Sequence, residues 1–205
     1  MKNKLEKIKL AVLIGKGGRL KTIHRCVKKI KNADLALVVS HKKISPGVEW
    51  AKEKGIESFY FRLSDWKESR VAYDKELVDI LKKKNVNLVV LAGWDLILSG
   101  EFLNCFLNKV INIHPSLCPA FPGMDAERKA LDYGVKYTGC TLHFVDPGVD
   151  TGAIILQRAV EIGPKETIES LQKKIHQKEE EILCEGIKLF CRGKLKIDGN
   201  KVLIK

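Results

Sequence analysis

Short apolar runs recur along the first half of the chain, at residues 8–14, 35–40, 87–92 and 109–113, and few polar residues interrupt them. They are too brief for buried helices and too continuous for strands that face water on one side, so they read as strands packed on both faces. Between them the period changes from two to 3.6. Residues 20–30, 46–54 and 69–84 read as helices, the last with Val71, Leu77, Ile80 and Leu81 as its apolar face. Ser45 is expected to cap the second helix, with Pro46 at its first position and Gly55 at its end. A further strand is expected at 57–61. Strands that alternate with helices in this way build a parallel, Rossmann-like sheet.

The second half changes pattern. A short helix at 125–133, strands at 139–145 and 153–160, and a long helix at 167–190 follow, then a hairpin over 195–204 centred on Asp198-Gly199-Asn200. Successive strands without a long crossover predict an antiparallel extension. The expected fold class is α/β, a mainly parallel sheet with that extension, flanked by helices. One domain over 1–194 and a short extension over 195–205 are expected, which suits 205 residues at 45% apolar and 30% charged.

The formal charge of +12 raises a nucleic-acid reading. Much of it lies on helix faces such as Lys82-Lys83-Lys84 and Lys173-Lys174, which read as solvated faces, and a small anionic substrate would also be drawn by the field. No nucleic-acid or membrane partner is expected, and a monomer or homodimer is. The N-terminal seven residues are basic, yet the apolar stretch behind them ends at Gly15 without a cleavage site. Six scattered cysteines, Cys26, Cys105, Cys118, Cys140, Cys184 and Cys191, lack CxxC spacing and read as buried thiols of a cytoplasmic protein; no metal site is indicated.

Two stretches carry chemistry. Gly15-Lys16-Gly17-Gly18-Arg19 lies between the first strand and a helix, where unpaired N–H groups and the helix dipole make an anion site; the alternative is a packing turn with solvent-facing basic residues. Asn112 and His114 are two residues apart on a strand that Pro115 ends, so they share a face. Asp150 follows a second apolar run and the Pro147-Gly148 turn. An amide donor, an imidazole and a carboxylate at strand ends suit acyl transfer: two groups stabilise an oxyanion while the third handles a proton.

The runs Asn112-Ile113-His114-Pro115-Ser116-Leu117, Pro119-x-x-Pro122-Gly123, Gly139-Cys140-Thr141-Leu142-His143-Phe144-Val145 and Asp150-Thr151-Gly152 resemble the formyltransferase family that uses 10-formyltetrahydrofolate. The resemblance extends, with gaps, over about residues 7–194. It implies a formyltransferase fold and transfer of a formyl group from that folate to the amine of glycinamide ribonucleotide, in purine synthesis. It also implies roles. Asn112, His114 and Asp150 are catalytic, with Thr141 and His143 supporting them. Gly15, Lys16, Gly17, Gly18, Arg19 and Arg70 hold the substrate phosphate, and Glu179 binds the substrate. Trp94, Asp95, Leu96, Ile97 and Leu98 line the folate pocket, although Trp94 is equally suited to filling core. Formylation of another amine, an amino sugar nucleotide or methionyl-tRNA, and a non-catalytic folate, nucleotide or RNA binder stay open as alternatives.

Overall fold

The computed structural model describes residues 7–66 and 69–205, with the backbone alone for Ser64 and Trp66. The basic segment at residues 1–6 lies outside them. Contacts cluster into two compact units, Met1–Ile111 and Asn112–Lys205.

In the first unit, β1 (Ile8–Ile14), α1 (Leu20–Lys28), β2 (Ala33–Ser40), α2 (Pro46–Glu53), β3 (Ser58–Tyr60), α3 (Arg70–Lys83), β4 (Leu88–Ala92) and α4 (Gly100–Cys105) follow in order, with a 3-10 turn at Leu63–Trp66. β1 lies between β2 and β4, β3 pairs with β2, and all these pairings are parallel. Leu10 to Ile14 and Leu88 to Val90 are completely buried, as continuous apolar strands require.

β5 (Val110–His114) starts in the first unit, and its last three residues open the second. There α5 (Ala126–Tyr133), β6 (Tyr137–Phe144), β7 (Ile154–Glu161), α6 (Ile168–Cys191), β8 (Leu195–Asp198) and β9 (Lys201–Ile204) follow. β6 and β7 run antiparallel, as do β8 and β9, and the hairpin joins the sheet through a parallel pairing of Ile154 with Lys201. α6 opens with a capping box, Thr167 accepting from Ser170 N–H and Ser170 from Thr167 N–H, and buries Leu171, Ile175, Glu179, Ile182, Leu183, Gly186 and Ile187 on one stripe. The class is the expected one: α/β, mainly parallel, with an antiparallel extension and flanking helices.

Several local expectations need correction. Helix α4 was not expected, because six residues show too little period; Ser99 starts it, its hydroxyl accepting from Phe102 N–H. Val71 is exposed, and α3 instead buries Tyr73, Asp74, Leu77, Val78 and Leu81. Ser45 does not cap α2 with its side chain, since its hydroxyl donates to the Gly15 carbonyl at 2.8 Å. Among the cysteines, Cys118, Cys140 and Cys191 are buried and free and Cys105 is free but exposed. Cys26 and Cys184 are disulfide-bonded, against the expectation of thiols. No helix among the described residues is long and apolar enough to cross a membrane.

Candidate active site

β5 carries the central pair. Alternation along the strand turns Asn112 and His114 the same way, and His114 is 5% exposed. The Asp150 carboxylate closes the group, with its side chain 11% exposed. Its Oδ1 accepts from Asn112 Nδ2 at 3.2 Å and stands 3.5 Å from His143 Nε2. Its Oδ2 stands 3.2 Å from His114 Nδ1 and accepts from Gly123 N–H at 2.9 Å. All these residues belong to the second unit.

Proton positions follow from the partners. His114 Nε2 lies 2.9 Å from the Phe121 carbonyl, which only accepts, and Nδ1 faces the carboxylate, so the ring is surrounded by acceptors. Both contacts are satisfied together in the imidazolium form. His143 Nδ1 donates to the Phe144 carbonyl at 2.8 Å, and its Nε2 faces Asn112 Nδ2 at 3.2 Å and Asp150 Oδ1 at 3.5 Å. The two hydrogens of the Asn112 amide lie on the side that holds Asp150 Oδ1, to which Nδ2 donates, and His143 Nε2, each 3.2 Å away. A substrate oxygen recruits one of them by displacing a contact that is already long.

Burial acts on Asp150 to raise its pKa, but hydrogen bonds from His143 and the Gly123 amide, with the charges of His114 and His143, outweigh it and hold the carboxyl below its ordinary value. The carboxylate is ionised, and its charge sits beside two imidazoles.

Thr141 shares a strand face with His143 as expected, yet it holds a loop and not the ring. Its hydroxyl donates to Ser116 O at 2.6 Å and accepts from Cys118 N–H at 3.0 Å and Gln157 Nε2 at 2.9 Å. Gln157 also donates to Cys118 O at 3.0 Å. This network fixes the start of the 115–123 segment, whose far end delivers the Phe121 carbonyl and the Gly123 N–H. Gln157, Phe121 and Gly123 were not singled out as site residues from sequence. The two backbone groups leave no side-chain signal, and Gln157 reads as an ordinary strand residue.

In the first unit the glycine loop is built on backbone contacts. Gly17 has φ +86, and a Cβ there would lie 2.7 Å from Gly47 Cα. Gly47 N–H donates to Lys16 O at 3.0 Å, and the Gly15 carbonyl accepts from both Ser40 and Ser45 hydroxyls at 2.8 Å. Lys16, Gly17, Gly18, Leu20, Lys21, Pro46, Gly47 and Trp50 line a cleft beside it. Arg19 is the N-cap residue of α1, and its side chain makes no cap hydrogen bond.

Arg70 is engaged elsewhere. Its Nη2 pairs with Asp74 at 2.8 Å, its Nε donates to the Ile97 carbonyl at 3.1 Å, and its guanidinium lies 4.7 Å from the Tyr73 ring centre. These contacts tie Arg70 to the 93–98 segment, whereas the resemblance implies a contact with the substrate phosphate. Asp74, fully buried, also accepts from Ser99 N–H at 2.6 Å. In that segment Trp94 packs edge-on against His41 at 4.7 Å and fills core. Asp95 pairs with Lys42 at 2.8 Å and His41 at 3.3 Å. Burial pushes the Asp95 carboxyl up, but Lys42 and His41 together bring it below its usual range. Leu98 is buried, Leu96 half-buried and Ile97 exposed. Glu179 is fully buried on α6.

An α/β sheet that ends in an amide, two imidazoles and an ionised carboxylate defines a group-transfer site of acyl type. Comparison with known proteins agrees: the formyl transferase family model matches residues 8–187, and the chain belongs to that family. It is 40% identical over 148 residues to phosphoribosylglycinamide formyltransferase of Bacillus subtilis, a match covering 72% of this chain and 75% of that one. It is 45% identical over 148 residues to the trifunctional purine biosynthetic protein adenosine-3 of Drosophila melanogaster, covering 72% of this chain but 11% of that protein. Across four such trifunctional relatives the chain spans between 11% and 19% of their length. The crystal structure of glycinamide ribonucleotide transformylase 1 from Symbiobacterium toebii superposes with a TM-score of 0.93 at 41% identity, over 97% of this chain and 94% of that one.

Proposed function

We infer that this chain transfers the formyl group of 10-formyltetrahydrofolate to the amine of glycinamide ribonucleotide, as a cytoplasmic monomer or homodimer in purine synthesis. The observation that supports it best is the closed set of contacts joining Asn112, His114, His143 and Asp150. The amine nitrogen attacks the formyl carbon, and the carbonyl π pair moves to oxygen. Asn112 Nδ2 donates to that oxyanion, and the His114 imidazolium donates to it by exchanging one of its two present acceptors, the Phe121 carbonyl or Asp150, for the new oxygen. Asp150 accepts the proton of the new ammonium through water, and the centre collapses as the folate nitrogen leaves and gains a proton. One oxyanion donor of this kind contributes roughly 3–4 kcal/mol of transition-state stabilisation.

Binding is assigned to the loops of the first unit. Lys16, Gly17, Gly18 and Arg19 receive the phosphate of the acceptor, where the basic N-terminal end of α1 favours an anion. Leu96, Ile97 and Leu98 line the folate pocket, and Arg70 shapes that segment through the Ile97 carbonyl. Glu179 serves the acceptor as a hydrogen-bond acceptor.

The test is a spectroscopic assay of formyl loss from 10-formyltetrahydrofolate with and without glycinamide ribonucleotide. Acceptor-dependent loss is expected, and Asn112→Ala or Asp150→Asn is expected to slow it by about a hundredfold or more. Loss without acceptor reassigns the chain to hydrolysis of the formyl folate, and full turnover in both variants removes the residue roles.

A further inference from the structure

Asp150 occupies a backbone region that residues with a Cβ seldom adopt, with φ at +55. Left-handed geometry presses Cβ against the following carbonyl, so the residue needs outside support to stay there. Its carboxylate contacts anchor the side-chain tip. The backbone around it is held by a different acid. Asp146 Oδ1 accepts from Gly148 N–H at 3.1 Å and from the Thr151 hydroxyl at 2.7 Å, so one oxygen spans both sides of Asp150. The Thr151 hydroxyl lies 2.0 Å from where a Cβ of Gly148 would sit, which packs the turn shut. At the end of the loop, a Cβ on Gly152 would lie 1.8 Å from the Phe144 carbonyl, so the chain passes there too closely to carry a side chain.

We propose that Asp146 and Thr151 are positioning residues for the transfer, a side-chain staple over residues 146–151 that keeps Asp150 in the conformation from which its carboxylate reaches Asn112, His114, His143 and Gly123. This rests on the reading of Asp150 given under Proposed function. Both staple bonds lie at the exposed surface, so they add little to the stability of the whole chain. Their effect passes through the placement of one carboxylate. What matters at position 146 is an acceptor oxygen and not a charge: asparagine presents the same Oδ1, alanine presents nothing. At position 151 the hydroxyl decides, which serine keeps and valine lacks.

The experiment uses the full chain with 10-formyltetrahydrofolate and glycinamide ribonucleotide, and compares D146A, D146N, T151V, T151S and D150N with the parent. D146A and T151V are expected to lower kcat by roughly ten- to a hundredfold, the scale of a misplaced catalytic group. KM for both substrates stays within about twofold, because no substrate contact is removed. Tm stays unchanged. The acid limb of kcat/KM moves to higher pH, since a displaced Asp150 loses the Gly123 N–H and the neighbouring imidazoles His114 and His143 that hold its carboxyl low. D146N and T151S keep the parent's kcat and pH profile. Parent-like kcat and acid limb in D146A and T151V, beside an inactive D150N, overturn the staple alone; equal impairment of D146A and D146N overturns it too. An active D150N overturns the underlying reading of the site and the staple with it. Should D146A lose cooperative unfolding, T151V, which removes only a hydroxyl, decides the matter.

Discussion

The glycine loop after β1 is shaped by backbone, whereas the cluster at the end of β5 is shaped by side chains that hold one another. At Gly17 the approach of Gly47 leaves no room for a Cβ, and the loop's carbonyls are tied by Ser40, Ser45 and the Gly47 N–H. Around Asp150 the reverse holds: four groups converge on one carboxylate, and two of them are imidazoles whose protons are placed by backbone carbonyls. A backbone-built loop offers N–H groups to any anion of the right size. A side-chain cluster offers charges of defined sign at defined points. The first arrangement suits binding and the second suits bond making.

This contrast is open to experiment. The largest effect is expected from Asp150→Asn, which keeps shape but removes both the proton acceptor and the counter-charge of His114. Turnover should fall by about 10²–10⁴, in the range of a lost acid-base group, with KM little changed. Asn112→Ala follows at about 10²–10³. If either variant instead raises KM at constant kcat, the cluster is a binding device and the contrast is broken.

In the first unit the effects should appear as stability and KM. Gly17→Ala meets the Gly47 backbone at positive φ and should cost about 1–3 kcal/mol in denaturant unfolding. Gly18→Ala makes a sharper test, because a Cβ there meets no protein atom within 4 Å. Stability should hold while KM for the phosphate-bearing acceptor rises and KM for the folate stays put. Unchanged kinetics in Gly18→Ala would return this loop to a packing turn.

A pH series compares the regions through stability. The folded pKa of Asp150 is depressed, so its contribution is present above the unfolded value of about 3.9 and is lost as pH falls through the lower folded value. Chemical unfolding of the parent and Asp150→Asn below pH 5 should show the parent's advantage shrinking with acid. The smallest effect is expected from Asp95→Ala. It breaks a half-exposed pair with Lys42 worth about 0–1 kcal/mol, and should raise KM for the folate a few-fold.

Element order was largely readable from the chain, since period and length separate buried strands from amphipathic helices. The misses share a cause. Helix α4 is too short to display a period, and its start depends on Ser99 and on the buried Asp74 beneath it. Val71 has the composition of a core position, yet α3 turns it outward. Arg70 could be placed at the start of a helix, but its partner, the Ile97 carbonyl, lies 27 positions away. Gln157 likewise meets Thr141 and Cys118 only once β6 and β7 have paired.

From its residues alone, this chain determines alternating strands and helices, a glycine turn ahead of α1, and a shared face for Asn112 and His114, because each depends on chain geometry over a few neighbours. Tertiary structure decides which acid faces which imidazole, that Asp150 lies in the left-handed region, and that Arg70 serves the 93–98 segment. Those outcomes depend on distances between atoms far apart in sequence, and a hydrogen bond or ion pair has no energy until folding brings its two ends within about 3 Å.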